Sequence, residues 1–374
     1  MTRLNLRLNG PERAINFAQG FPDFDPDPRI LDAATRALRD GYNQYATTWG
    51  APQLRQAIAL KQSAAWGREV DPDTEVTVAC GATEAMMAAM LAAVDPGDEV
   101  IVFEPFYENY GPDCVISGAV PRFVALRPPD WSLDLDELSA AFNERTRAIV
   151  VNTPHNPTGK VYTRSELEHI ARLCIEHDVI AITDEIYEHL VYQGRHVSIA
   201  TLPGMAERTI TISGASKTYS VTGWRVGWLI APALLTSGIR KVHDFLTVGA
   251  AHPLQVAVAE ALAYRPSFYV ELLGDYHERR DAIVAGLREC GFDVSPPEGA
   301  YYVMAGIDAF GAADDVSFAR RLIEEAAVAT VPASSFYHDP ALGRRHIRFS
   351  FPKKISTIER GLAALRSVRR NQSS

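Results

Sequence analysis

The chain has 374 residues, two to three times the usual domain length, and its 47% apolar and 22% charged residues exclude disorder, collagen and coiled coil. Its 37 Lys and Arg against 46 Asp and Glu leave a net charge of −9, which argues against a nucleic-acid or anionic-membrane partner. Four scattered cysteines, Cys80, Cys114, Cys174 and Cys290, form no CxxC pair and predict free thiols, with no disulfide frame or metal site.

Residues 1–16 lack the apolar run of a signal peptide, and no stretch is long enough to span a bilayer, so a cytoplasmic protein is expected. Glu75–Ala79 reads as a strand, followed by Gly81 and a helical pattern over Thr83–Val94. Glu99–Phe103 and Arg147–Asn152 read as the next strands. Thr163-Arg-Ser-Glu166 is a capping box, which starts a helix that runs to about His177. Val179–Thr183, Thr209–Ser213 and Val226–Ile230 complete the series of strands. These runs are continuously apolar, the pattern of a sheet covered by helices on both faces. The fold class is therefore α/β, a mostly parallel sheet, expected over residues 40–274. A long helical pattern over Phe268–Cys290 leads to Phe292–Val294, Tyr301–Met304, a helix near Phe318–Ala326, a strand Ile347–Ser350 and a last helix. Residues 275–374, with residues 1–39 as an N-terminal arm, are expected to form a smaller α+β domain.

Open α/β sheets bind ligands beyond the carboxyl ends of their strands. The residues there are Gly81-Ala82-Thr83, then Glu104-Pro105-Phe106-Tyr107, then Thr153-Pro154-His155-Asn156, then Asp184-Glu185-Ile186-Tyr187, and finally Gly214-Ala215-Ser216-Lys217 with Gly223-Trp224-Arg225. Each motif alone is weak. A phosphate cradle, an aromatic ring, Asn, Asp, Tyr, Lys and Arg on one sheet edge are together specific.

On these blocks, and on FAQGFPDFDPDP, YNQYATTWGAPQLRQAI, HDFLTVGA and RHIRFSF, nearly the whole chain resembles the class I/II aminotransferases of the pyridoxal-phosphate (PLP) fold type I superfamily. It is most similar to the kynurenine, glutamine and methionine aminotransferase branch. The chemistry implied is removal of the α-proton of an amino acid, and no side chain supplies the electron sink that the resulting carbanion needs. The resemblance implies that Lys217 condenses with PLP as a Schiff base and afterwards carries the proton. It makes Asp184 the partner of the pyridine nitrogen, an ion pair worth roughly 5 kcal/mol at ~3 Å and an effective dielectric of ~20. Asn156 and Tyr187 are expected on the phenolic oxygen of PLP and Tyr107 on its ring face. Ala82, Thr83, Gly81, Arg225 and Ser216 or Ser213 are expected at the phosphate, with Tyr45 donated there by a second subunit of a homodimer. Arg348 would clamp the substrate α-carboxylate, joined by Asn156 and by Gly20 through its backbone, with Phe21 near the side chain.

The chain departs from some relatives at Gly214, where they carry serine, and at Ala333, where glycine is common; the arm also lacks a tryptophan. His252 stands where a small residue is expected, and it reads first as a structural or surface histidine and second as a substrate contact. The segment His243–Gln255 has no arginine, which weighs against a dicarboxylic substrate. Three functions stay open on sequence: transamination of an aromatic or neutral amino acid by ping-pong half-reactions with a 2-oxo acid; elimination, replacement or oxidation by the same cofactor; and a PLP-binding regulator without turnover.

Overall fold

The apolar runs build one eight-stranded sheet in the computed structural model, which describes residues 1–370. Its strands are β1 (Val76–Ala79), β2 (Glu99–Glu104), β3 (Val120–Arg127), β4 (Ser132–Leu133), β5 (Thr146–Asn152), β6 (Ile180–Asp184), β7 (Thr209–Gly214) and β8 (Gly227–Ile230). The spatial order is β1-β8-β7-β6-β5-β2-β3-β4. The neighbours β3, β2, β5, β6 and β7 pair in parallel, whereas β8 is antiparallel to both β1 and β7, and β4 is antiparallel to β3. Every residue of β1, β2, β7 and β8 is buried, because helices cover both faces.

Two strands of this sheet escaped the sequence reading. β3 interleaves Pro121 and Arg122 with apolar residues and is largely part-exposed, so it lacks the continuous apolar signature of its neighbours. β4 has only two residues.

The capping box forms as expected: Thr163 Oγ1 accepts from the Glu166 N–H, and Glu166 Oε2 accepts from the Thr163 N–H at 2.7 Å. These bonds satisfy N–H groups that the first helical turn leaves without partners, at about 1 kcal/mol for such a cap. The helix after β1 spans Ala82–Ala93, one residue ahead of the predicted span.

A second sheet follows the long helix Pro266–Cys290. It comprises β9 (Asp293–Val294), β10 (Tyr302–Gly306), β11 (Val331–Pro332) and β12 (His346–Ser350), ordered β9-β10-β12-β11 and wholly antiparallel. Ile15–Asn16 pairs in parallel with Val328–Ala329. Tyr187 and Leu190, just past β6, share one buried cluster with Tyr301, Tyr302 and Phe349. The second sheet thus packs over the carboxyl edge of the first, where the polar residues lie. The helix Pro28–Arg39 buries Ile30, Ala33 and Ala34 with Leu54 and Val78 of the larger sheet's side. Cys114, Cys174 and Cys290 are buried and Cys80 half-buried, with no disulfide among the described residues. Among the described residues no helix is long and apolar enough to cross a membrane.

Candidate active site

Parallel strands end together, so β5, β6 and β7 bring Asn152, Asp184 and Gly214 to one edge. Arg225 precedes its strand yet reaches the same edge, because β8 runs the opposite way. The result is a cavity of about 100 Å³ whose lining includes nine expected residues: Ala82, Thr83, Tyr107, Asn156, Asp184, Tyr187, Ser216, Lys217 and Arg225. A second hollow shares Tyr107, Asn156 and Lys217 with it and adds Gly20 and Arg348.

Asp184 forms the floor and is 7% exposed. Its Oδ2 accepts from Tyr110 Oη at 2.8 Å and its Oδ1 from the Ile186 N–H at 3.2 Å. Burial pushes the carboxyl up, opposed by those two hydrogen bonds and then by Lys217. A buried carboxylate of this kind gains most from a cation placed against it. Lys217 Nζ donates to Gly20 O at 3.5 Å and lies 6.0 and 5.7 Å from the ring centroids of Tyr187 and Tyr301.

Asn156 is fixed twice. Its N–H donates to Asn152 Oδ1 at 2.7 Å, and its Oδ1 accepts from Arg348 Nη1 at 2.8 Å. A guanidinium only donates, so the amide oxygen faces Arg348 and Nδ2 remains for another acceptor. Arg348 lies on β12, between β10 and β11, opposite Met304 and Val331, and is 7% exposed. Its Nη2 donates to Ala18 O at 3.0 Å, while Nε is buried with no hydrogen-bond partner among the described residues. No carboxylate pairs with it among the described residues, so this buried cation is suited to an incoming one.

At the other end, the exposed Arg225 donates through Nη2 to Thr83 Oγ1 at 3.4 Å, beside the first turn of the helix Ala82–Ala93. A helix N-terminus offers free N–H groups and positive potential to an anion. Gly81 has φ 84°, and a Cβ there would lie 2.4 Å from the Arg225 guanidinium. At Gly227 a Cβ would lie 2.6 Å from Ala82 N, so the approach of β8 to this turn also demands glycine. Burial pushes Tyr107 and Tyr187 up, so both phenols stay protonated near neutrality. Tyr187 Oη is 2.9 Å from Tyr302 Oη.

Besides Gly81, three expected residues lie outside both hollows, and His252 keeps to its first reading as a structural or surface histidine. Ser213 donates to Glu188 Oε1 at 3.1 Å, which leaves Ser216 as the serine of the cavity. Phe21 lines neither hollow, and its ring stacks with Lys353. Tyr45 is 87% exposed and lines a separate hollow with His252, whose Nδ1 is 3.1 Å from Gln44 O. The sequence reading missed Met86, Asn109, Tyr110, Asn152 and Tyr302 in the cavity. Asn152 ends a recognised strand and was legible from position; Tyr110 starts a helix and Tyr302 belongs to the second sheet, so neither carries a local signal.

Residues 12–365 match the family model for aminotransferase class I and II. The methionine aminotransferase of Escherichia coli is 39% identical over 95% of this chain and 92% of its own. Kynurenine–oxoglutarate transaminase 3 of Mus musculus is 38% identical over 94% of this chain and 84% of its own. The solved N-succinyldiaminopimelate aminotransferase of Mycobacterium tuberculosis superposes with a TM-score of 0.94 at 40% identity, covering 98% of this chain and 96% of that one. A doubly covered α/β sheet with lysine, aspartate and arginine converging beyond its strand ends defines a PLP-dependent transferase. The chain belongs to the class I and II aminotransferases.

Proposed function

We propose that the enzyme moves the α-amino group of an aromatic or neutral L-amino acid, of the kynurenine, phenylalanine, methionine or glutamine type, to a 2-oxo acid in ping-pong half-reactions. The observation that carries this reading is the convergence of Lys217, Asp184 and Arg348 on two joined hollows. The residues fit PLP: a buried carboxylate with no ion pair among the described residues, an amine, an aromatic ring and a helix N-terminus preceded by Gly81, whose φ of 84° L side chains rarely adopt.

When bound, PLP supplies the electron sink for the carbanion left at Cα. Asp184, its two oxygens oriented by Tyr110 and the Ile186 N–H, would hold the proton on the pyridine nitrogen. Arg225, Ser216 and the Ala82–Thr83 turn would hold the phosphate, Tyr107 would face the ring, and Asn156 and Tyr187 would serve the phenolic oxygen. Lys217 would hold the aldehyde end and move the proton at substrate Cα, general-base work worth typically 10²–10⁴-fold. Arg348 takes the substrate α-carboxylate, its fork oriented by Asn156 and Ala18 O.

The donor class follows from charge. Besides Lys217, Arg225 and Arg348, no lysine or arginine lines either hollow among the described residues, so a distal carboxylate has no fixed partner. Relatives named for methionine and kynurenine accord with this, whereas one named for N-succinyldiaminopimelate does not.

The working form is a homodimer in this reading: Tyr45 and Phe245, 87% and 94% exposed, lie on a surface that a second copy would cover, and Tyr45 would serve the partner's phosphate site. The chain divides into a larger unit of residues 40–274 and a smaller one of 1–39 with 275–374. The buried thiols accord with a reducing, cytoplasmic setting.

The test is a panel of single amino acids added to the holoenzyme without any oxo acid. Loss of the aldehyde absorbance is expected with kynurenine, phenylalanine, methionine or glutamine and not with aspartate. Release of ammonia or a thiol without an acceptor would assign elimination instead.

A further inference from the structure

Lys353 takes no part in the chemistry above and lines neither hollow, yet it is 2% exposed. An ammonium is strongly hydrated and is seldom buried without a carboxylate. Among the described residues Lys353 has no ion pair; its Nζ donates to Phe21 O at 2.6 Å and to Gln19 O at 3.4 Å, and lies 4.5 Å from the Phe21 ring centroid. Burial pushes the amine down to about 8, against the pull of Asp23. Its charge is thus held by main-chain carbonyls and an aromatic face in place of a carboxylate.

Its role lies in the turn it holds. Four successive carbonyls, 18–21, are each captured by a side chain. Ala18 O accepts from Arg348, Gln19 O from Ser350 Oγ at 2.9 Å as well as from Lys353, Gly20 O from Tyr301 Oη at 2.7 Å and from Lys217, and Phe21 O from Lys353. Ala18, Gln19 and Gly20 line the hollow that contains Arg348 and Lys217. A trans peptide sets its N–H opposite its C=O, so the hold on Gln19 O also fixes the Gly20 N–H. Arg279 Nε donates to Lys353 O at 2.9 Å, and the Lys354 N–H to Asp23 Oδ1 at 2.6 Å, so the clamp itself is anchored at both ends.

We propose that Lys353 is a positioning residue, pinning the 18–21 turn over the substrate hollow and thereby setting the affinity for the amino acid without touching it. The proposal rests on the reading of Arg348 as the carboxylate ligand. It deepens that reading by adding the main-chain wall against which the carboxylate is held.

The experiment compares the holoenzyme with Lys353→Met, Lys353→Arg and Arg348→Lys. Lys353→Met is expected to raise KM for the amino donor about tenfold or more, with kcat within about threefold and an unchanged cofactor spectrum. Lys353→Arg, which keeps a buried donor cation, is expected to recover most of the KM. An unchanged KM in Lys353→Met overturns the proposal if Arg348→Lys raises it. If Arg348→Lys leaves KM unmoved, the carboxylate reading fails first and the proposal falls with it. A Lys353→Met chain that does not fold, or that loses thermal stability together with kcat, makes the lysine structural and also overturns it.

Discussion

Tyr110 donates its phenolic hydrogen to Asp184 Oδ2 at 2.8 Å, which ties the helix Tyr110–Ser117 to the end of β6 beneath the cavity. A hydrogen bond to a charged group is worth about 1.5–3 kcal/mol, and here it holds the carboxylate in one orientation. Tyr110→Phe should weaken PLP affinity about tenfold while preserving the fold. Asp184→Asn should lower kcat by about 10³ or more, because the neutral amide cannot hold the ring-nitrogen proton. Cofactor titration and steady-state kinetics separate the two effects.

If Lys217 anchors the aldehyde end and carries the proton, as proposed, Lys217→Ala should abolish turnover, a loss of at least about 10³ in kcat. Added methylamine should restore a small fraction. Full activity in Lys217→Ala, measured on several donors, would contradict the site.

Arg348→Lys should raise KM for every amino donor by about 10–100-fold, because an ammonium cannot reproduce the planar fork that meets a carboxylate. Asn156→Ala should shift KM in the same direction by less, since it frees the guanidinium that Asn156 Oδ1 now orients. Kinetics with amino acid and oxo acid varied separately check both.

Asp113 gives a stability prediction away from the site. It is 5% exposed, its Oδ2 has no partner among the described residues, and burial pushes its carboxyl up to about 7. The folded state holds a proton that the unfolded state, with its ordinary value of 3.8, has released. Stability from this group is therefore lost as pH rises from about 4 to about 7. The limit is about 4 kcal/mol, and about 1–2 kcal/mol after allowance for the water that still screens the group. In Asp113→Asn this slope should vanish, so the variant gains on wild type above pH 7 and not at pH 4. Thermal midpoints across that range are the measurement.

The larger sheet was legible because strands buried on both faces become unbroken apolar runs, as in β2, β5 and β6. β3 was not, because an outlying strand with Pro121 and Arg122 has no such run. The cavity was legible for the same reason: residues that follow parallel strands must emerge on one edge, which located Asn156, Asp184, Tyr187 and Lys217 from their positions alone. Gly227, Tyr110, Tyr302 and Lys353 were not, since their neighbours across the site are remote in sequence.

By itself the sequence determined the α/β class, the residue types that chemistry at Cα demands and the strand ends that carry them. Only the tertiary structure decided which serine faces the cavity, that Asn156 orients Arg348 and that a buried lysine grips the turn at 18–21. The difference is one of range. Strand periodicity and position are written in consecutive residues, whereas hydrogen bonds such as those of Arg348 and Lys353 join groups more than 190 positions apart and exist only once the second sheet has closed over the first.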